Sequence, residues 1–181
     1  MGWLSKLLGR ENPARRDAAR IYSKLMDQSR NAAFYGDGRA PDSYDGRIDM
    51  LTLHLAPVMA AARTHGEQGE LLSQELYEVM REDFDVALRE EGLTDSSITH
   101  RIKPMIGLFY ARLKSYTEAL TGENKIGEVE AVLTAGLLKD AEPRHFVAPM
   151  AQYLRDFHAG LEGKPLGDLA MTQFDFPELP S

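Results

Sequence analysis

Cysteine is absent from this chain, which removes disulfide scaffolds, cysteine-based zinc sites and thiol nucleophiles from consideration. Tryptophan occurs once, at Trp3. No apolar run approaches the roughly 20 residues that a bilayer-spanning helix requires. The first ten residues lack the long apolar core of a secretory signal, and Glu11 and Asp17 argue against an organelle transit peptide. Alternation with a period of two, the mark of half-buried strands, is missing, and no internal repeat is found. There is no glycine-rich phosphate loop and no nucleophile elbow. These absences leave an all-α chain without recognisable catalytic apparatus, read as cytoplasmic and expected to need no cofactor.

Charge of one sign is short in the body. The net charge is −7, yet residues 1–30 hold seven Lys/Arg against three Asp/Glu, which leaves the remainder at −11. An acidic body does not hold a nucleic-acid backbone by counterion release, so general DNA or RNA binding is excluded. The basic end has two readings. Trp3, Leu4, Leu7 and Leu8 share a helical face, with Lys6 and Arg10 elsewhere. The segment either docks on its own domain or meets an anionic membrane surface or the ribosome, peripheral at the inner face of the membrane.

What the chain does have is helical periodicity around one central stretch. A loop, Phe34-Tyr35-Gly36 through Pro41-Asp42-Ser43-Tyr44, leads into Asp45-Gly46-Arg47 and a helix that is apolar on nearly every side. Asp42 or Ser43 is placed to cap it. Leu51, Leu55, Val58, Met59 and Ala62 recur at helical spacing, while Met50, Leu53, His54, Pro57 and Ala61 fill the opposite side. A helix apolar all round packs on several neighbours at once. Asp45, Gly46 and Arg47, with Gly36 and His54, are expected to be structural before they are functional.

Around this hub the spacing gives a helix after Asn12-Pro13 and, beyond a break at His65–Gly69, an acidic helix from Leu71 to Glu90. A basic helix follows, capped by Asp95 or a neighbouring serine, striped by Ile98, Ile102, Met105, Phe109, Leu113, Tyr116 and Leu120, and interrupted early by Pro104. Two further helices follow. The expectation is one bundle of about six helices. A short amphipathic segment (1–12) precedes the helical domain (13–162), and an irregular tail (163–181) follows, in which Phe174, Phe176 and Leu179 are apolar enough to lie against the body.

Candidate chemistry is thin. Glu142-x-x-His145 has the spacing of one half of a di-iron motif, but no second copy exists, so no metal site is assigned. Glu82, Asp83 and Asp85 point in different directions on one helix and read as a solvated face. His54 sits on the crowded hub, where a hydrogen-bonded buried histidine or a functional one are both open.

At these residues the sequence resembles the ubiquinol–cytochrome c chaperone family, bacterial relatives of the mitochondrial factor that assembles cytochrome b into respiratory complex III. Three blocks carry the resemblance. The first is Phe34-Tyr35-Gly36, Pro41-Asp42, Asp45-Gly46-Arg47, Leu51 and Leu53-His54-Leu55. The second is Leu72-Ser73-Gln74, Leu76, Met80, Asp83, Asp85, Leu88-Arg89-Glu90 and Gly92. The third is Asp95, Arg101, Lys103, Met105, Phe109-Tyr110, Arg112 and Tyr116. Together they span roughly residues 14–120, and later residues match only in being helical.

The resemblance implies a non-enzymatic chaperone that binds nascent or newly inserted cytochrome b, or a related membrane subunit, with a second chaperone subunit or a homodimer as further partners. A holder of apolar client helices needs an exposed aromatic strip bordered by charge. The expected strip joins Tyr35, Pro41 and Tyr44 of the loop to Arg101, Lys103, Tyr110 and Lys114 of the basic helix. Alternatively these aromatics only seal the loop onto the bundle. A second function, of another class, is a small helical enzyme or ligand carrier with a pocket near His54 and Tyr110.

Overall fold

The computed structural model describes residues 12–90, 92, 94–122 and 125–180. Among them are seven α-helices and no strand: α1 (Pro13–Ser29), α2 (Tyr44–Arg63), α3 (Gly66–Glu90), α4 (Asp95–Thr121), α5 (Lys125–Ala135), α6 (Val147–Leu161) and the short α7 (Leu166–Ala170). Two 3-10 turns, Ala32–Phe34 and Arg144–Phe146, link them. The all-α class holds, with α7 as one element more than the periodicity gave.

α2 is the hub. Apart from Ala60, every residue from Ile48 to Ala62 is buried, and the helix packs against α1, α3, α4, α6 and α7. Its start follows from local chemistry. The Ser43 hydroxyl accepts the Gly46 amide at 3.2 Å, satisfying one of the free donors of the first turn. Asp42, the other capping candidate, instead binds Arg47 Nε at 2.6 Å. Arg47 therefore ties the start of α2 back to the loop through Asp42. A Cβ on Gly46 would stand 2.1 Å from the Pro41 carbonyl oxygen, so the loop crosses the helix start too closely for any side chain.

The break expected over His65–Gly69 is only two residues long, and α3 begins at Gly66, five residues before Leu71. Gly69 lies inside that helix. A Cβ there would meet the Ala62 carbonyl oxygen at 1.7 Å, so this glycine permits a tight helical hairpin and does not end a helix. α4 starts with Thr94 at the cap position, which places Asp95 in the first turn, and the helix runs unbroken through Pro104. Of its expected stripe all but Ile102, which is half-buried, are buried.

The C-terminal residues are fastened to the bundle. Lys24 Nζ donates to the carbonyl oxygens of Thr172, at 3.0 Å, and of Phe174, and sits 4.4 Å from the Phe174 ring centroid. Phe174 is buried and Phe176 packs on the core, while Leu179 is exposed. A lysine stem that spans helix and tail in this way covers apolar surface while its charge is satisfied by carbonyls.

Candidate functional site

Two polar clusters lie on opposite sides of α2. On one side Asp49 is buried between α2 and α4. Tyr116 donates its hydroxyl to Asp49 Oδ1 at 2.5 Å, and Arg112 places Nε 2.8 Å from Oδ2. Burial raises the Asp49 carboxyl above its ordinary range, against the pull of Tyr116 and Arg112, and raises the Tyr116 phenol still more strongly. The Arg112 guanidinium lies against Gly136, where a Cβ would come within 2.6 Å of it. This cluster was missed by pattern reading. Its signal was Asp49, a carboxylate set among the apolar residues of the hub helix, where burial calls for a cation beside it.

On the other side His54 is fully buried. Its Nδ1 lies 2.8 Å from the Met50 carbonyl oxygen and its Nε2 2.9 Å from the Tyr153 hydroxyl, which in turn accepts from Gln28 at 2.9 Å. A carbonyl can only accept, so the neutral ring donates from Nδ1 and accepts a hydrogen bond from the Tyr153 hydroxyl at Nε2. Desolvation pushes the imidazole pKa down to about 4. Phe34, Tyr153, Phe157 and Phe176 surround it with ring centroids 5.3 to 6.2 Å away. This arrangement fixes α6 and the C-terminal residues onto the hub and leaves no open face for a substrate.

The seven residues expected to form one client strip fall in three places. Tyr35, half-buried, donates its hydroxyl to the Ser29 carbonyl at 2.7 Å. It lines a cavity of about 260 Å³ with Arg30, Arg47 and Phe84. Tyr44, also on the rim of that cavity, reaches Met105 Sδ at 3.6 Å, and Pro41 faces Leu108 and Arg112 across a second cleft. At about 100° per residue, Arg101 shares that flank of α4 with Met105, Leu108 and Arg112, whereas Tyr110 is turned by about 180°. Lys103 and Lys114 stand with Tyr110. Gly36 adopts φ +122° at the turn of the loop.

Tyr110 borders an aromatic-lined groove of about 670 Å³ between α2, α3 and α4. Met59, Leu71, Tyr77 and Leu113 supply its apolar wall, with Arg63, Glu67 and Glu70 at the rim. Tyr110 is 51% exposed and Leu71 37%. The Tyr110 ring lies 5.3 Å from that of Tyr77, and the Tyr77 ring 6.0 Å from that of Phe109, so a ladder of three rings runs from surface to core. Tyr77 and Leu71 were not singled out in the sequence because each reads as an ordinary flank of an amphipathic helix. His54 does not line this groove, so the pocket imagined between His54 and Tyr110 is not formed.

Glu142 and His145 are both exposed, and among the described residues no group of three His, Asp or Glu side chains is placed to hold a metal ion. No helix among the described residues is long and apolar enough to cross a membrane. Trp3, Leu4, Lys6, Leu7, Leu8 and Arg10 lie outside the described residues.

By class the chain is an all-α bundle built around a buried hub helix, with an open aromatic groove between α2, α3 and α4. The model of the ubiquinol-cytochrome C chaperone family matches residues 37–176, and the chain belongs to that family. The match extends well past residue 120, where the quoted motifs end, through α5, α6 and α7 into the C-terminal residues. A crystal structure of the Cbp3 homolog from Brucella abortus superposes with a TM-score of 0.78 at 25% identity, covering 98% of each chain. Comparison with curated proteins gives no match.

Proposed function

We propose that the chain is a non-enzymatic chaperone that holds newly made cytochrome b during assembly of the ubiquinol–cytochrome c reductase complex. The observation that carries this reading is the groove beside Tyr110. An apolar helix of a membrane subunit, held before it has its own partners, needs a surface where aromatic and aliphatic side chains are already exposed and bordered by charge. Tyr110, Tyr77 and Leu71 offer that surface, and Lys103 and Lys114 stand on the same flank of α4 as Tyr110. Membership of the family supports the class of client.

The strip drawn from the sequence combined Tyr35, Pro41, Tyr44 and Arg101 with Tyr110, Lys103 and Lys114, and the two flanks of α4 separate these groups. Charge reversal at Lys103 and Lys114, combined with Tyr110→Ser, is expected to leave the fold intact. It lowers cytochrome b recovery in pull-downs and assembled complex in cells. Arg101→Glu, on the other flank, tests the alternative placement. Wild-type client recovery in both variants removes this helix as the client site.

A further inference from the structure

We propose that the cavity beside Tyr35 receives the C-terminal residue of a partner polypeptide, with its apolar side chain inside and its carboxylate against Arg30 and Arg47. The loop and the first turn of α2 build this cavity with α1 and α3, and it shares no lining residue with the groove beside Tyr110. Backbone hydrogen bonds hold the loop in place. The Gly36 amide donates to the Ala40 carbonyl at 3.2 Å, and the Ala40 amide to the Phe34 carbonyl at 3.1 Å. Gly36 turns the chain there at φ +122°, a conformation that favours glycine. Tyr35 is fixed further by its hydroxyl, which donates to the Ser29 carbonyl. The site is therefore formed before anything enters it, which removes part of the ordering cost of binding.

The chemistry of the cavity is divided. Met26, Ile48, Leu51, Phe84 and Ala87 wall an apolar interior of about 260 Å³, below the roughly 300 Å³ at which sites for drug-sized ligands begin. One large side chain suits that space. Arg30, Tyr35 and Arg47 line both this interior and an outer cleft of about 560 Å³, so two guanidiniums stand at the mouth. Both act on the Tyr35 phenol, pulling it down against the rise that burial causes. Two carboxylates share the site. Asp83 accepts the Tyr22 hydroxyl at 2.8 Å, and Asp42 binds Arg47 Nε at 2.6 Å. They disfavour a phosphate dianion, and a fatty acid has no N–H to offer their acceptor oxygens. A chain terminus brings every group the site can use: an apolar side chain, a monoanionic carboxylate for the guanidiniums and an amide N–H for Asp83.

The test is fluorescence anisotropy of the full chain with a peptide, Gly-Ser-Gly-Ser-Phe, labelled with fluorescein at its N-terminus. The free acid is expected to bind about ten- to a hundredfold more tightly than the C-terminal amide, the range of charge-assisted hydrogen bonds. A peptide ending in glycine, which leaves the interior empty, binds as weakly as the amide. Arg30→Ala with Arg47→Ala removes the preference for the acid. Ala87→Leu fills the interior and abolishes binding with both arginines in place, and the circular dichroism of each variant stays that of wild type. Tyr110→Ser, in the other groove, leaves peptide binding unaltered, so the result is separate from client binding there. Equal binding of acid and amide overturns the proposal, as does an acid preference that survives the double arginine variant. Undiminished binding by Ala87→Leu, or none by wild type at millimolar peptide, overturns it too. Octanoate that displaces the peptide at equal concentration assigns the cavity to a simple fatty acid and likewise overturns it.

Discussion

The two sides of α2 solve one problem in opposite ways. On the α4 side Asp49 is buried as an acid with a cation and a phenol beside it. On the α6 side His54 is buried as a neutral ring in a chain of hydrogen bonds from Gln28 through Tyr153 to the Met50 carbonyl. The depth of burial is nearly the same, so burial alone does not set the outcome. The difference lies in the partners: a guanidinium keeps a charge in place, and a ladder of donors and acceptors removes the need for one. The charged side is therefore vulnerable to loss of one partner, and the neutral side to acid.

The largest effect is expected from Arg112→Met. Removing one member of a buried pair leaves the other charge uncompensated, at a cost of several kcal/mol, about 3 here because Arg112 keeps some contact with solvent. Denaturant melts of Arg112→Met, Asp49→Asn and the double variant check it. The double variant should recover most of the loss, and a double variant as unstable as Arg112→Met alone refutes the pairing. Gly46→Val comes next, at about 1–3 kcal/mol, because the first carbon of any side chain would overlap the Pro41 carbonyl. It strains the start of the helix that carries both clusters. A wild-type melting temperature would falsify that reading of the loop.

Acid sharpens the contrast. His54 has a folded-state pKa of about 4, below its ordinary 6.5, so the unfolded chain takes up a proton that the folded chain refuses. Stability on this account is retained above about pH 6.5 and falls as pH drops toward 4, by about 2 kcal/mol between pH 7 and 5. Asp49 has the opposite sign. Its folded-state pKa is raised above 3.8, so stability falls as pH rises from that value toward the folded one. Stability profiles of His54→Gln and Asp49→Asn separate the two: the first variant loses the decline on the acid side, and the second loses the opposing slope. A decline between pH 7 and 5 that is unchanged in His54→Gln assigns the titration elsewhere.

The hub and the stripes of the other helices were legible in the sequence because burial on a helix repeats every 3.6 residues, and Leu51, Phe109 and Tyr116 each declared themselves by spacing. Gly69 was misread because a glycine that breaks a helix and a glycine that lets two helices touch look alike until the second helix is in place. Arg101 and Lys103 looked like one basic patch because they are two residues apart, yet a helix turns about 200° over that interval. The Asp49–Arg112–Tyr116 cluster needed tertiary packing, since α4 brings its cation and phenol from far along the chain. The groove was hidden for the same reason, being assembled from α2, α3 and α4.

The smallest effect belongs to Arg47→Ala, and it tests where the difference between exposed and buried pairing begins. Arg47 binds Asp42 at 2.6 Å, shorter than the 2.8 Å between Arg112 and Asp49. Distance alone would rank the Asp42 pair as the stronger. Both of its side chains are more than half exposed, however, so water competes for each charge and salt screens what remains. The Asp42 carboxyl is held below its ordinary pKa by Arg47, but at the surface that preference carries little stability. Arg47→Ala should leave the melting temperature within error of wild type at physiological salt, while Arg112→Met lowers it clearly. Equal losses in the two variants would mean that contact distance, and not burial, governs the ion pairs around α2.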